Sequence, residues 1–288
     1  MKILVLGSEG RLGKFLCPYL EIHGHTIFKY FRISPNKDSE YDNFNLTIES
    51  FLKNNRIDII INLIALTDLN LCESNIKKAY CSNISTLKKF IPFIKQNKTH
   101  LIHISSDQVY SGIGPHKENN ILPLNVYGLT KYFSEIIAES VNATILRTNY
   151  IAKSIVVNKN SLTDWMVSSF IKKSKITLYK NILFSPLHST DLCKFIELIC
   201  RNKINGTFNL GSNGFISKAD LGIELASSLS LDISNVKISD YNTKLQNLRR
   251  PLDMRMDSSK FEKKYNLKLP DIKDTIKLVI DDYKNSMP

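Results

Sequence analysis

The sequence has no long hydrophobic run, no paired cysteines and no block of like charge, and each absence removes a class of protein. No apolar stretch approaches the roughly 20 residues needed to cross a bilayer, so no membrane span is expected. The five cysteines, Cys17, Cys72, Cys81, Cys193 and Cys200, form no C-x-x-C pair and have no histidine nearby at metal-ligand spacing. An odd, scattered set reads as reduced, mostly buried thiols in a reducing compartment. The acidic residues are equally scattered, and no metal site is expected. Lys and Arg number 39 against 27 Asp and Glu, a formal charge of +12, but the lysines are dispersed among Asn and Ile. Nucleic-acid binding would call for a basic stripe interleaved with exposed aromatics, and none is present. A basic surface of this kind favours an anionic small molecule such as a nucleotide diphosphate. There is no internal repeat, low-complexity tract or obvious linker. Lys2 opens an apolar strand with no targeting segment ahead of it, and a soluble cytoplasmic protein is expected.

With 288 residues, 43% of them hydrophobic, the chain has enough length for one large α/β unit or a main domain with a smaller partner. Lys2 to Leu6 is continuously apolar, as in a strand covered on both faces. Gly7-Ser8-Glu9-Gly10-Arg11-Leu12-Gly13 follows, and Lys14 to Leu20 has helical spacing. Glycines at a strand-to-helix turn let the backbone approach a pyrophosphate while the helix amino terminus faces its charge. His25 to Arg32 reads as the second strand. An NAD site would place an acidic residue at its end, and this strand ends in Arg32, which with Arg11 points to NADP. Two ordinary surface arginines are the alternative.

Ile57 to Ala65, Leu101 to Ile104, Ala143 to Thr148 and Gly206 to Gly211 read as further strands. They alternate with a helix containing Ala79, Asn83, Leu87 and Phe90, and with another over Tyr127 to Ala138. This alternation predicts a doubly wound parallel sheet, with Leu66 to Glu73 lining the cleft beyond the strands' carboxyl ends. Beyond residue 150 the pattern changes. A helix over Leu162 to Lys172, a short strand at Ile176 to Tyr179, and a helix over Leu192 to Cys200 capped by Thr190 or Asp191 are expected. Helical patterns at Lys218 to Leu229 and Ile272 to Tyr283 complete a mostly helical carboxyl-terminal part. The expected division is a cofactor domain over 1–150, to which the chain returns at about 188–212, and a substrate-binding part formed by 151–187 and 213–288.

Tyr127 and Lys131, four residues apart on one helix, project from the same face, so an ammonium can stand beside a phenol and favour its ionised form. Ser105 and Ser106 lie at the carboxyl end of the Leu101 to Ile104 strand and bring a hydroxyl to the same region.

The carrying stretches are Gly7 to Gly13, Asn62 to Glu73, Ser105 to Tyr110, Pro123 to Lys131, Leu146-Arg147-Thr148 and Arg250 to Asp253. Together they resemble the extended short-chain dehydrogenase/reductase superfamily, and within it the dTDP-4-dehydrorhamnose reductase-like group of nucleotide-sugar ketoreductases. The resemblance implies a Rossmann sheet with a smaller, mostly helical carboxyl-terminal substrate-binding domain. It implies that Tyr127 is the general acid, Lys131 its electrostatic partner and a ligand of the nicotinamide ribose, and Ser106 the hydroxyl holding the substrate oxygen. Ser105 competes for that last role, and Ser106 aligns with the group's Thr. Implied cofactor contacts are Gly7, Gly10, Arg11, Leu12, Gly13, Arg32, Leu63, Ala65, Asn83, Tyr127 and Lys131. The cofactor would be NADPH, with NADH as the alternative.

Candidate substrate contacts are Thr67, Ser106, Asp107, Trp165, His188 and Arg250. For His188 the favoured reading is a core or loop histidine, and for Trp165 it is packing. The chain departs from the group at Gln108, often an aromatic there, at Leu66, often His, and over Ile155 to Asn181. The implied activity is NADPH-dependent reduction of a nucleotide-linked 4-keto-6-deoxy sugar, as in dTDP-rhamnose and lipopolysaccharide synthesis. A homodimer is compatible with the resemblance, and neither nucleic acid nor membrane is an expected partner. An epimerase or dehydratase of the same superfamily and a non-catalytic NADP-binding regulatory subunit are the alternatives.

Overall fold

The computed structural model describes residues 1–30, 48–242 apart from 49 and 53, and 248–286. The first part of the chain runs β1 (Lys2–Leu6), α1 (Arg11–Ile22), β2 (Thr26–Tyr30), β3 (Ile59–Asn62), α2 (Leu69–Ser74) and α3 (Ile76–Tyr80). A π-helical turn (Cys81–Ser85) leads into α4 (Thr86–Asn97), followed by β4 (His100–Ile104), a single 3-10 turn (Asp107–Val109), α5 (Val126–Ala138) and β5 (Ala143–Thr148). The remainder runs β6 (Tyr150–Ile151), α6 (Leu162–Ile171), β7 (Ile176–Tyr179), β8 (Leu183–Phe184), β9 (Leu187–His188), α7 (Ser189–Arg201) and β10 (Gly206–Leu210). It ends with β11 (Ile216–Ser217), α8 (Lys218–Ser228), β12 (Val236–Ser239), β13 (Asp253–Met254), α9 (Ser259–Tyr265) and α10 (Ile272–Lys284).

The central sheet has six strands in the order β10-β5-β4-β3-β1-β2, and every pairing is parallel. The continuous apolar runs have their explanation in its two covered faces. Ile3 and Val5 pack with Leu16 and Leu20 of α1 and Ile196 and Ile199 of α7, while Leu4 and Leu6 pack with Phe90 and Ile94 of α4 and Ala138 of α5. Alternate residues of one strand thus enter opposite cores, and each fully buried Leu or Ile contributes roughly 1.5–3 kcal/mol. Strand β1 has β2 on one side and β3 on the other, so the chain reverses its direction of travel there and a crevice opens at the carboxyl ends.

A separate core gathers Met166 and Phe170 of α6, Leu221 and Leu225 of α8, and Val279 and Ile280 of α10. Three small sheets, β11-β8-β13, β12-β7 and β6-β9, accompany these helices. Most of their strands are two residues long, too short to show any periodicity in a sequence.

Local differences from the sequence reading have identifiable causes. The run Ile57 to Ala65 yields only Ile59–Asn62, because the Asn62 side chain accepts from Ile64 N at 3.2 Å and turns the backbone out of the ladder. Helix α7 begins at Ser189 with neither Thr190 nor Asp191 as its cap; His188 holds that place, its Nδ1 accepting from Thr190 N at 3.3 Å. The second strand is described as far as Tyr30, and Arg32 lies outside the described residues. Among the described residues no helix is long and apolar enough to cross a membrane.

Candidate active site

The carboxyl ends of β1, β3, β4 and β5 open into a continuous cleft of about 1350 Å³, closed on its far side by residues of α6, β7, α8 and the segment before β13. Gly7, Gly10, Arg11, Leu12 and Gly13 line one end of it. A Cβ on Gly13 would stand 2.4 Å from Ser8 O, so only glycine lets α1 start this close to the turn. Gly10 caps α1 without any side-chain hydrogen bond, and no acidic residue lies in the first turn. Backbone N–H groups left without a side-chain cap at a helix amino terminus fit a dinucleotide diphosphate. The Tyr150 hydroxyl lies within hydrogen-bonding reach of Leu12 N. The segment before α6 crosses to the same turn: Arg11 donates to Asn160 O at 3.3 Å and Lys159 Nζ to Glu9 O at 3.2 Å. Leu63, Ala65 and Thr67 line the cleft just beyond β3.

Helix α5 carries Tyr127 and Lys131. Asn125 caps it, accepting from Gly128 N at 2.8 Å. A Cβ at Gly128 would lie 2.3 Å from Gln108 O, so this glycine lets the first turn of α5 press against the loop that bears Ser106. Ser106 in turn caps the 3-10 turn, accepting from Gln108 N at 3.2 Å, and donates to Asp107 Oδ1 at 3.0 Å. The Tyr127 hydroxyl stands within hydrogen-bonding reach of Ser106. Lys131 Nζ donates to Ile104 O at 2.7 Å. Ser105 points away: its hydroxyl donates to the buried Glu135 carboxylate. Geometry therefore joins Ser106, and not Ser105, to Tyr127.

Charge behaves differently from the sequence expectation. Burial pushes the Tyr127 phenol well above its ordinary value. Burial also lowers Lys131 to about 8, opposed by the charge of Glu135 one turn away. A desolvated site penalises both ions, and the ammonium is turned toward a backbone carbonyl. Tyr127 is consequently a protonated phenol, a proton donor in its resting form.

Behind these residues lie two buried networks. Arg147 Nε and Nη2 donate to Glu135 at 3.0 and 2.7 Å, and Arg147 Nη1 donates to Tyr110 Oη at 2.8 Å. Asn62 Nδ2 donates to His103 Nδ1 at 3.1 Å, His103 Nε2 to Ser134 Oγ at 2.9 Å, and Ser134 Oγ to Lys131 O at 2.6 Å. That chain requires a neutral His103, in keeping with burial driving its pKa well down.

Asn83 sits in the π-helical turn, buried and away from the cleft lining. Its Oδ1 accepts from Leu66 N at 2.6 Å and its Nδ2 donates to Thr130 Oγ1 at 2.9 Å, so it fixes the loop after β3 against α5. Gln108 donates to Met254 Sδ at 2.8 Å and accepts from Asn125 at 3.2 Å, so it holds the Ser106 loop to the carboxyl-terminal part. Asp107, Trp165 and Arg250 all line the cleft. His188 does not: its two ring nitrogens face Thr190 N and, at 3.1 Å, Asp282 Oδ2. Lys218, Tyr150 and Met254 also line the cleft. No spacing in the sequence signals them, because the elements that bring them there are far apart along the chain.

The family model described as RmlD substrate binding domain matches residues 1–285. A probable low-salt glycan biosynthesis reductase from Haloferax volcanii is 23% identical over 96% of each chain. A dTDP-4-dehydrorhamnose reductase from Escherichia coli is 24% identical over 98% of each. A dTDP-4-dehydrorhamnose reductase from Bacillus anthracis, solved in complex with NADP, has the same fold, with a TM-score of 0.85 at 19% identity, covering 98% of this chain and 99% of that one. By the match over nearly its whole length, this chain belongs to the RmlD substrate binding domain family.

Proposed function

We propose that the chain is an NADPH-dependent reductase that converts the keto group of a nucleotide-linked 4-keto-6-deoxy sugar to an alcohol, acting in the cytoplasm in the synthesis of a surface-polysaccharide sugar. One observation carries this reading: Ser106, Tyr127 and Lys131 converge in a single cleft that continues into the glycine turn. Residues 1–150, with 188–212, form the cofactor domain in this account, and 151–187 with 213–288 bind the sugar nucleotide. The names of the relatives, which are reductases, and the NADP in the Bacillus anthracis structure support the cofactor and substrate classes.

The bound reduced cofactor supplies a hydride to the carbonyl carbon. Ser106 Oγ, its proton turned from Asp107 Oδ1 to the substrate, donates to the carbonyl oxygen, and the Tyr127 phenol gives its proton to that oxygen as negative charge develops. The raised pKa of Tyr127 suits a donor, since an alkoxide is more basic still. Lys131, held at Ile104 O, presents its remaining N–H groups to the ribose hydroxyls. The turn Gly7 to Gly13 and Arg11 hold the phosphates. A dehydratase would need a second acid beside the hydroxyl for elimination. Here Ser106 is followed by one acid, Asp107, and then by Gln108, which is engaged with Met254, so reduction is favoured.

The test follows NADPH oxidation with dTDP-4-dehydrorhamnose and identifies the product. Stoichiometric oxidation with formation of the nucleotide-linked 4-hydroxy-6-deoxy sugar is expected. Binding of NADPH and sugar nucleotide without turnover would overturn the enzymatic reading in favour of a regulatory subunit.

A further inference from the structure

The wall of the cleft facing Ser106 carries a charged side chain that the proton and hydride transfers do not use. Lys218 opens α8, behind a Ser217 cap, and lines the cleft. Its Nζ rests 3.3 Å from the centroid of the Phe184 ring, a cation–π seat that does not use all three of its donors. Asp107 comes to the same space from the loop after β4. Its Oδ1 accepts from Ser106 at 3.0 Å and its Oδ2 from Asn149 at 2.6 Å. Asp107 and Lys218 line the same cleft and act on one another electrostatically. The space between the two walls of the cleft is therefore a gap with an acceptor on one side and a donor of opposite charge on the other.

The chemistry of that gap selects its occupant. A phosphate or carboxylate there would meet Lys218 but be repelled by Asp107, and an amine would meet the reverse. A hydroxyl both donates and accepts, so it satisfies the two at once without disturbing their charge balance. Asp107 shares a hydrogen bond with Ser106, which in the reading above holds the ketone oxygen. A group that reaches Asp107 therefore lies close to the ketone. Resting on that reading, we propose that Lys218 and Asp107 together bind one ring hydroxyl beside the ketone and so set which ketosugars the site accepts.

Among the described residues, the charged groups facing Lys218 are Asp107 and, from the segment before β13, Arg250. Burial lowers Lys218 to about 7, Asp107 opposing and Arg250 adding to the shift. The ammonium is the better donor to a hydroxyl oxygen, and it is lost as pH rises through about 7. Affinity for the sugar should fall over that same rise.

Calorimetric titration of the full chain with dTDP-rhamnose, and with dTDP as control, tests the pair without turnover. Lys218→Met should weaken dTDP-rhamnose by about 10-fold to 100-fold, the range for a hydrogen bond to a charged group, and leave dTDP and NADPH unchanged. Asp107→Asn should do the same, and the double variant should lose no more than the weaker-binding single variant, because both act on one hydroxyl. Lys218→Arg, which keeps its charge, should lose the fall in sugar affinity as pH rises through about 7. Equal weakening of dTDP by Lys218→Met would overturn the proposal in favour of a diphosphate contact, and unchanged binding of both ligands would overturn it outright. A wild-type chain that binds dTDP-rhamnose no better than dTDP would remove the substrate reading as well, an outcome distinct from both.

Discussion

The sheet-side wall of the cleft and the wall contributed by the carboxyl-terminal part are held in place by different means. Behind Ser106, Tyr127 and Lys131 lie the Ser105–Glu135–Arg147 and Asn62–His103–Ser134 networks, in which donors and acceptors are matched within the interior. Facing them, Lys218 rests on an aromatic ring, Trp165 is 41% exposed, and Arg250 lies outside any helix or strand. The first wall spends its hydrogen-bonding capacity on rigidity, which proton transfer over fixed distances requires. The second keeps its capacity for a ligand. Reaction type and substrate choice therefore belong to different regions of one cleft.

The contrast predicts unequal costs. Glu135→Gln leaves the Arg147 charge buried without its counter-ion and should cost about 3–5 kcal/mol of stability in denaturant unfolding; a loss below about 1 kcal/mol, the scale of an exposed pair, would break the contrast. His100 and His103 sharpen it through pH. Burial holds His100 at about 4 and His103 well below 6.5. The unfolded chain therefore binds more protons than the folded one below 6.5, and stability is lost as pH falls. Each histidine should contribute a slope of up to about 1.4 kcal/mol per pH unit, and unfolding curves that do not shift with acid would contradict their burial as neutral rings. Gly13→Ala forces a Cβ against Ser8 O and should cost about 1–3 kcal/mol together with weaker NADPH binding. Trp165→Ala, on the ligand-facing wall, should change stability by less than about 0.5 kcal/mol while raising KM for the sugar nucleotide. A destabilisation as large as that of Glu135→Gln would show that Trp165 is packing.

How far the sequence carried these conclusions follows the same division. The glycine turn and the Tyr127/Lys131 spacing were legible because their geometry is local: a strand, a turn and one helical face bring the groups together. The doubly wound sheet was legible because strands buried on both faces carry unbroken apolar runs, as Ile3 to Leu6 and Ile59 to Ile61 do. Lys218 was not legible, since its position opposite Asp107 depends on how α8 packs. Nor was the state of Tyr127. Spacing alone suggested an ionised phenol beside an ammonium, whereas burial and the Ile104 carbonyl decide otherwise. His188 shows the converse case, a histidine whose neighbours in sequence gave no sign of its use as a helix cap and partner of Asp282.

The central claim is that Tyr127, held protonated by the sheet-side wall, delivers the proton. Single-turnover reduction by Tyr127→Phe, with NADPH affinity measured on the same protein, tests it most directly. The account predicts a rate lower by about 10²-fold to 10⁴-fold with NADPH affinity unchanged. A rate within a few-fold of wild type would contradict it and move the proton donor elsewhere in the cleft.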